Sequence, residues 1–279
     1  MESPVHTRIL ESLGEYLSIG GMPESVNRWV STKDPAQALK ILQQIAATYR
    51  QDFEKYARKA QVKHLEQLFN QIPHLVGEEF SYRKIHGEYR KRELAPALEL
   101  LERANIVHLI RHSDGQGIPI GAGVDFETFK VNYLDIALCQ AILGSDISMW
   151  FLHPLQGFDN RGEIAEGFVG QELLCYASPQ TKAELYFWKR REKSSSAEID
   201  YLVQKGDQIL PIEVKSGHGS TLRSLRLFLE THSNSSYAIR FSALDYSIYE
   251  QLDSRPLYSV VSLAHETQRD ALQFLVNDE

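Results

Sequence analysis

Residues 198–203 read EIDYLV and residues 209–215 read ILPIEVK. Apolar and polar residues alternate in EIDY and in IEVK, which is typical of β-strands. Regular alternation places Asp200 on one face of the first strand, and Glu213 and Lys215 on one face of the second. If the two runs pair as a hairpin, Asp200 and Glu213 lie side by side, with Lys215 two residues further along. The hairpin therefore predicts a compact acidic site that contains one ammonium group.

This arrangement of charges favours a divalent cation. Two neighbouring carboxylates repel each other unless a cation neutralises them, and Mg²⁺ typically takes one or two protein carboxylates as ligands. A lysine beside the ion can orient a water molecule and stabilise negative charge on a phosphoryl group. We therefore predict that Asp200 and Glu213 bind Mg²⁺ or Mn²⁺ and act in catalysis together with Lys215. The alternative is a solvent-facing strand in which the Glu-x-Lys pattern has no chemical role.

A helix that precedes the hairpin supplies a third acidic residue. Residues 162–177 read GEIAEGFVGQELLCYA, and their apolar residues recur at helical spacing. Glu166 borders the apolar face, so it can point toward the sheet, and we predict that it is a third metal ligand. Glu172 also borders this face and is the rival candidate.

The order of elements predicts the domain organisation. Three helical patterns and two strands in residues 61–150 predict a winged helix-turn-helix domain, in which Ser81 begins the second helix and residues 93–105 form the third. From residue 157 the order is helix, three strands, helix and strand, which predicts a mixed sheet flanked by helices. We therefore expect an α+β multidomain chain. Its parts are N-terminal helices in residues 1–60, a winged helix in residues 61–150 and an α/β domain in residues 157–279.

Two short basic clusters stand out in a chain with a formal net charge of −7. The net charge argues against a protein that binds nucleic acid over its whole surface, but a local basic patch is compatible with it. Clustered Lys and Arg residues are what phosphate contacts require, and a solvated charged face is the alternative interpretation. The candidate nucleic-acid-binding residues are Arg83, Lys84, Arg90, Lys91 and Arg92 in the first cluster, and Lys189, Arg190 and Arg191 in the second.

Asp200 and the run Glu213-Val214-Lys215 resemble the motif of the PD-(D/E)XK, or restriction-endonuclease-like, superfamily. This superfamily has an Asp on one strand, a (D/E)-x-K on the next, and often an acidic residue on the preceding helix, which Glu166 matches. The proline that usually precedes the Asp is absent, because Ile199 stands there. The resemblance implies a Mg²⁺-dependent nuclease fold for residues 157–279.

The chain also resembles the C-terminal part of predicted archaeal and bacterial AAA-type ATPases. Residues 16–24 (YLSIGGMPE) and residues 129–138 (FKVNYLDIAL) match motifs of that family, and they precede the EID and IEVKSG runs in the same order. The family's ATPase core is missing, since no G-x-x-x-x-G-K-[ST] occurs in the sequence. We therefore expect no ATP hydrolysis by this chain, which is a fragment or a shortened paralogue in this interpretation.

The functional expectation is a nucleic-acid-associated, Mg²⁺-dependent enzyme that cleaves DNA phosphodiesters. The alternative is a catalytically inactive DNA-binding or regulatory module that works with an ATPase domain or subunit. The sequence has no HExxH and no G-x-S-x-G, so neither zinc hydrolysis nor acyl transfer is indicated. No apolar run reaches the roughly 18 residues that a membrane span needs, and the first ten residues show no signal peptide, so a cytoplasmic location is expected.

Overall fold

The N-terminal half of the computed structural model consists mainly of helices, and three of them begin at prolines. Pro23 and Pro35 stand in first turns, where a missing backbone N–H costs no hydrogen bond. Asp34 caps the third helix, because its side chain accepts a hydrogen bond from the backbone N–H of Ala36 at 2.9 Å. The helices of this half are α1 (Pro4–Ile19), α2 (Pro23–Thr32), α3 (Pro35–Tyr56), α4 (Lys59–Gln71), α5 (Lys91–Arg103) and α6 (Ile136–Leu143).

The described residues form two compact units. The structure describes residues 3–147, 150–151, 161–177, 180, 182–191, 197–215, 222–263 and 265. One unit, the sheet unit, comprises residues 1–10, 110–129 and 158–279, and the other, the helical unit, comprises residues 11–109 and 130–157. The domain boundaries that the sequence suggested at residues 60 and 150 stay predictions.

A buried acidic residue, Asp135, connects two segments of the helical unit. The carboxylate of Asp135 accepts hydrogen bonds from the backbone N–H of Gly21 at 2.7 Å and of Leu138 at 2.8 Å. Gly20 beside it has φ of +71°, and a Cβ added there would lie 2.6 Å from Oδ1 of Asp135. Two sequence motifs therefore meet at one carboxylate, because Gly20 and Gly21 belong to YLSIGGMPE and Asp135 belongs to FKVNYLDIAL.

One predicted helix of the winged-helix pattern is a single 3-10 turn. The turn spans Tyr82–Lys84, and the side chain of Ser81 accepts a hydrogen bond from the backbone N–H of Arg83 as a cap would. Ile85 is extended and Gly87 has φ of +125°, so no further helical turn follows. The short helix predicted to begin at Ser81 is therefore present only as this one 3-10 turn. The winged-helix assignment as a whole stays a prediction.

The α+β class is confirmed by a mixed sheet. Its eight strands within the described residues follow the order β2-β1-β3-β4-β5-β6-β8-β7. The strand pairs β3/β4, β4/β5 and β7/β8 are antiparallel, and β1/β3, β5/β6 and β6/β8 are parallel. The strands are β1 (Val107–Ser113), β2 (Val124–Tyr133), β3 (Tyr186–Lys189), β4 (Glu198–Lys205), β5 (Gln208–Lys215), β6 (Ala238–Ser242), β7 (Ser247–Tyr249) and β8 (Leu252–Pro256).

Two helices pack against the sheet in the sheet unit. Helix α7 (Gly162–Cys175) contacts β5, and helix α8 (Arg223–Thr231) contacts β4 and β5. Leu225 and Phe228 of α8 belong to a core cluster with Trp188 of β3 and Leu202 of β4. Burial of these large apolar side chains, at about 1.5–3 kcal/mol each, holds α8 on the sheet.

Candidate functional site

The predicted hairpin is confirmed, and it carries three of the predicted site residues. Strands β4 and β5 pair from Tyr201↔Ile212 to Lys205↔Gln208, and Asp200 and Glu213 are the next residues of the two strands beyond this pairing. The carboxylate Oδ2 of Asp200 accepts a hydrogen bond from the backbone N–H of Val214 at 2.7 Å. The side chain of Asp200 therefore reaches across to β5, between Glu213 and Lys215.

An irregularity in β4 lies at Asp200. Tyr186 pairs with Leu202 but Trp188 pairs with Ile199, so the one residue between these pairs on β3 lies opposite two residues of β4. Ile199 and Leu202 consequently lie in the same core cluster, which regular alternation would not allow. The extra residue falls at Asp200 or Tyr201. The sequence prediction of strict alternation through 198–203 was wrong at this point, and a bulge here redirects the side chains beside it.

Glu213 and Lys215 form an ion pair at the end of β5. Nζ of Lys215 lies within ion-pair distance of Oε1 of Glu213. Glu213 is only 7% exposed, so its charge would be costly without a nearby cation. Burial acts to lower the pKa of Lys215, but the carboxylates of Glu213, Asp200 and Glu166 outweigh it and hold that pKa above its ordinary value. The ammonium group therefore stays charged among three acidic side chains.

A hydrogen bond with Tyr201 of β4 holds the backbone of Glu166 in α7 close to the hairpin. The Tyr201 hydroxyl donates a hydrogen bond to the backbone carbonyl of Glu166 at 2.8 Å. Burial raises the pKa of Tyr201 well above its ordinary value, and the charges of Glu166 and Asp200 raise it further. The rival Glu172 acts on a different group: the pKa of Tyr176 is raised by burial first and by Glu172 second. Of the two candidates, Glu166 is thus the acid whose charge acts on Lys215.

The donor set fits a hard divalent cation with few protein ligands. Within the described ranges, no group of three or more His, Cys, Asp or Glu side chains is arranged to hold a metal ion. Asp200 and Glu213 provide two carboxylates, which is the number that Mg²⁺ typically takes from a protein while water and substrate oxygens fill the other positions. The oxygen-only donors fit Mg²⁺ or Mn²⁺ better than Zn²⁺. The metal role of Glu166, Asp200 and Glu213 stays a prediction.

Sequence reasoning missed an arginine on the neighbouring strand. Arg240 of β6 is the Cα partner of Glu213 in the parallel β5/β6 pair, so both residues belong to one row across the sheet. The buried Nε of Arg240 has no hydrogen-bond partner in the part of the chain that the structure describes. The charged Arg240 within the otherwise apolar run AIRF could have drawn attention to this position. Only the strand register shows that it lies next to Glu213.

The two basic clusters differ in their surroundings. The first cluster lies in the helical unit, and its side chains are exposed; Lys84 forms an ion pair with Glu78 at 2.6 Å. The second cluster begins at the end of β3 in the sheet unit, where Arg191 forms an ion pair with Asp125. Lys189 is the partner of Glu198, two residues before Asp200. The second cluster therefore lies at the same end of the sheet as the candidate site.

Comparisons with known proteins first define the class of domains. Residues 10–147 match the model of a family described as "Domain of unknown function (DUF8612)", and residues 161–264 match that of "Domain of unknown function (DUF4143)". Each match covers less than half of the chain. The first match includes Gly20, Gly21 and Asp135, and the second includes Glu166 and the β4–β5 hairpin.

A particular solved structure, protein VC1899 from Vibrio cholerae, is similar to this chain at 15% identity. The similarity covers 97% of this chain with a TM-score of 0.27, and the chain spans 58% of the length of that protein. No curated protein matches the sequence. Among the helices of the described residues, none is both long enough and apolar enough to cross a membrane.

Proposed function

We propose that this chain is a nucleic-acid-associated, nuclease-like protein of the PD-(D/E)XK type that cleaves DNA phosphodiesters with Mg²⁺. The observation that carries the proposal is the group around Lys215, in which one ammonium lies among the carboxylates of Glu213, Asp200 and Glu166. Charged groups collected at a half-buried position are costly for folding, so a chemical role is the natural reason to keep them.

Each side chain has a distinct part in the proposed reaction. Asp200 and Glu213, with Glu166 as the third acid, would hold the ion. Bound there, Mg²⁺ supplies positive charge that stabilises the developing phosphoryl oxyanion. Lys215 keeps its proton because the surrounding carboxylates hold its pKa up, so its ammonium orients a water toward the phosphorus and adds a second positive charge. The hydrogen bond from Val214 fixes the carboxylate of Asp200.

Cleavage of linear, nicked and single-stranded DNA in Mg²⁺, Mn²⁺ or EDTA tests the proposal. We expect cleavage only with a divalent ion, and a loss of at least about a hundredfold in Asp200→Asn and in Lys215→Ala, as when one transition-state stabilising group is removed. Lys205→Ala is the matched control, because Lys205 lies at the turn end of the same hairpin. Cleavage that survives both site substitutions contradicts the mechanism.

A second candidate function is a catalytically inactive DNA-binding or regulatory module that works with an ATPase. The observation in its favour is that Lys215 already forms an ion pair with Glu213, so this carboxylate has a cationic partner without a metal ion. Calorimetric titration with Mg²⁺ and Mn²⁺ separates the two functions. Binding at millimolar concentration that Asp200→Asn abolishes supports the nuclease; DNA binding with no metal binding supports the inactive module.

A further inference from the structure

A basic cleft of about 450 Å³ lies beside the C-terminal end of β3, within the sheet unit. Its walls come from β1 and the residues after it, from the end of β3, and from the last turn of α8. None of these elements contributes to the group around Lys215. The residues on which the argument depends are His112, Asp114, Lys189, Arg190, Arg191 and His232.

The lining of this cleft is positively charged in a negatively charged protein. Three consecutive cations, Lys189, Arg190 and Arg191, line it, of which Arg191 is paired with Asp125; Asp114 is the acidic residue of the lining. The formal net charge of the whole chain is −7, so the positive charge of the cleft is local and is not a property of the whole surface. Lys and Arg side chains that converge on one concave surface are the usual setting for phosphate groups.

The walls of the cleft are held in place before any ligand arrives. The buried ring of His232 is stacked on Phe228 of α8 with 3.7 Å between the ring centroids. Its Nε2 lies 2.9 Å from the backbone carbonyl of Asp114, and its Nδ1 lies 2.8 Å from that of Phe228. His232 therefore ties the segment after β1 to α8. A preformed site loses little entropy on binding.

His112 adds a second recognition element of different polarity. It lines the cleft although it is only 4% exposed, and its Nε2 lies 3.1 Å from the backbone carbonyl of Lys189. Burial is the main reason that the pKa of His112 is lowered, so the ring is neutral with its proton on Nε2. Its Nδ1, which has no hydrogen-bond partner among the described residues, is then an acceptor. An acceptor beside three cations suits a ligand with both phosphate and donor groups.

We propose that the basic cleft binds the phosphate groups of a nucleotide unit, either within a nucleic-acid strand or in a free nucleotide. A volume of about 450 Å³ is within the usual range of about 300–1,000 Å³ for small-ligand sites. Lys189 is the partner of Glu198, two residues from Asp200, so a strand bound in the cleft leads toward the candidate site. The inference deepens the proposed function, because it names the surface that holds the substrate.

Binding to fluorescein-labelled oligothymidine, measured by anisotropy in EDTA, tests the cleft without any cleavage. The double variant Lys189→Ala with Arg190→Ala is compared with Lys55→Ala with Lys59→Ala, which removes the same charge at exposed positions of the helical unit. We expect the first variant to weaken binding at least about tenfold. The slope of log K against log salt, which is negative, should become less steep by about 1.4, as for two lost phosphate contacts. The control changes binding less than about twofold.

Competition by ATP and by pyrophosphate distinguishes the two phosphate sources. Displacement of the oligonucleotide by ATP at micromolar concentration assigns the cleft to a free nucleotide, and resistance to ATP assigns it to a strand. Equal effects of both double variants, or no binding of any of the three probes to the wild-type chain, overturns the inference. Because the assay contains no metal, it tests the cleft alone; an oligonucleotide that binds here but is not cleaved after Mg²⁺ is added rejects only the proposed nuclease activity.

Discussion

Glu213 depends on Lys215 at the scale of the single residue, because its carboxylate is almost fully buried. Lys215→Met leaves that charge without its ion-pair partner. We expect a loss of about 2 kcal/mol of unfolding free energy, below the roughly 3–5 kcal/mol of a fully buried pair because Lys215 is 33% exposed. The double variant Glu213→Gln with Lys215→Met should recover more than half of the loss. Urea unfolding at neutral pH measures it, with Lys205→Met as control; a double variant less stable than the single one contradicts the argument.

Asp135 carries a pH-dependent part of the stability. Burial raises its pKa above the ordinary 3.8, although backbone N–H groups that donate to the carboxylate partly oppose the shift. The native state therefore binds the proton more tightly than the unfolded state does. This contribution is fully present below pH 3.8 and is lost as the pH rises through the higher native pKa. In Asp135→Asn the contribution is absent, so the stability of wild type relative to this variant should fall across that window. A difference that is constant or rises with pH in urea unfolding refutes the assignment.

Two glycines at the ends of helices offer a matched test at the scale of the element. Gly20 and Gly144 both have left-handed φ, of +71° and +66°, but a Cβ meets Asp135 at the first and nothing within 4 Å at the second. Gly144→Ala should cost about 1–2 kcal/mol for the left-handed conformation alone. Gly20→Ala should cost at least about 1 kcal/mol more, since the chain must move away from the carboxylate. Thermal unfolding of both variants measures the difference, and equal losses contradict the close approach.

The hairpin of the candidate site could be predicted from the sequence, because alternation with a period of two and a Gly-Asp turn between the runs leave few other folds. The irregularity at Asp200 could not, since no glycine or proline marks it in EIDYLV. The irregularity is visible only in the pairing of β3 with β4, which the residues of EIDYLV alone do not specify. The side-chain directions at the bulge therefore depend on tertiary pairing, which local sequence does not encode.

The neighbours of the site illustrate the same limit. Glu213 and Lys215 lie on one strand, so a single run of sequence predicts them together. Arg240 lies beside them only because β5 and β6 pair in parallel, and the register of that pair is set by the intervening α8 and its connections. The helix predicted to begin at Ser81 extends for only the 3-10 turn at Tyr82–Lys84, and the reason is local. Its cap at Ser81 is present in the sequence and in the structure, but no apolar face follows to bury.

The net charge acts on ligand binding at the scale of the whole molecule. The chain carries −7 at pH 7 and has a pI of about 5.8, so a nucleic acid that approaches the basic cleft is repelled by the rest of the protein. The sequence contains ten histidines, a residue type that ordinarily gains charge between pH 8 and pH 6, so a lower pH makes the net charge less negative and weakens that repulsion. This effect acts at long range, so salt screens it beyond a Debye length of about 8–10 Å.

Oligothymidine affinity should therefore be several-fold higher at pH 6 than at pH 8 at about 50 mM salt, and the ratio should fall toward one at about 300 mM. The physical reason is that the background charge of the protein changes with pH, and salt screens the effect of that charge at long range. Anisotropy titrations in EDTA at the four conditions measure the ratio, and the Lys55→Ala with Lys59→Ala variant should lower the affinity slightly without changing its pH dependence. A pH effect that persists unchanged at high salt contradicts the long-range account and points instead to a histidine in direct contact with the strand; His112→Asn, which replaces the imidazole by a smaller polar side chain that does not titrate, then removes the effect.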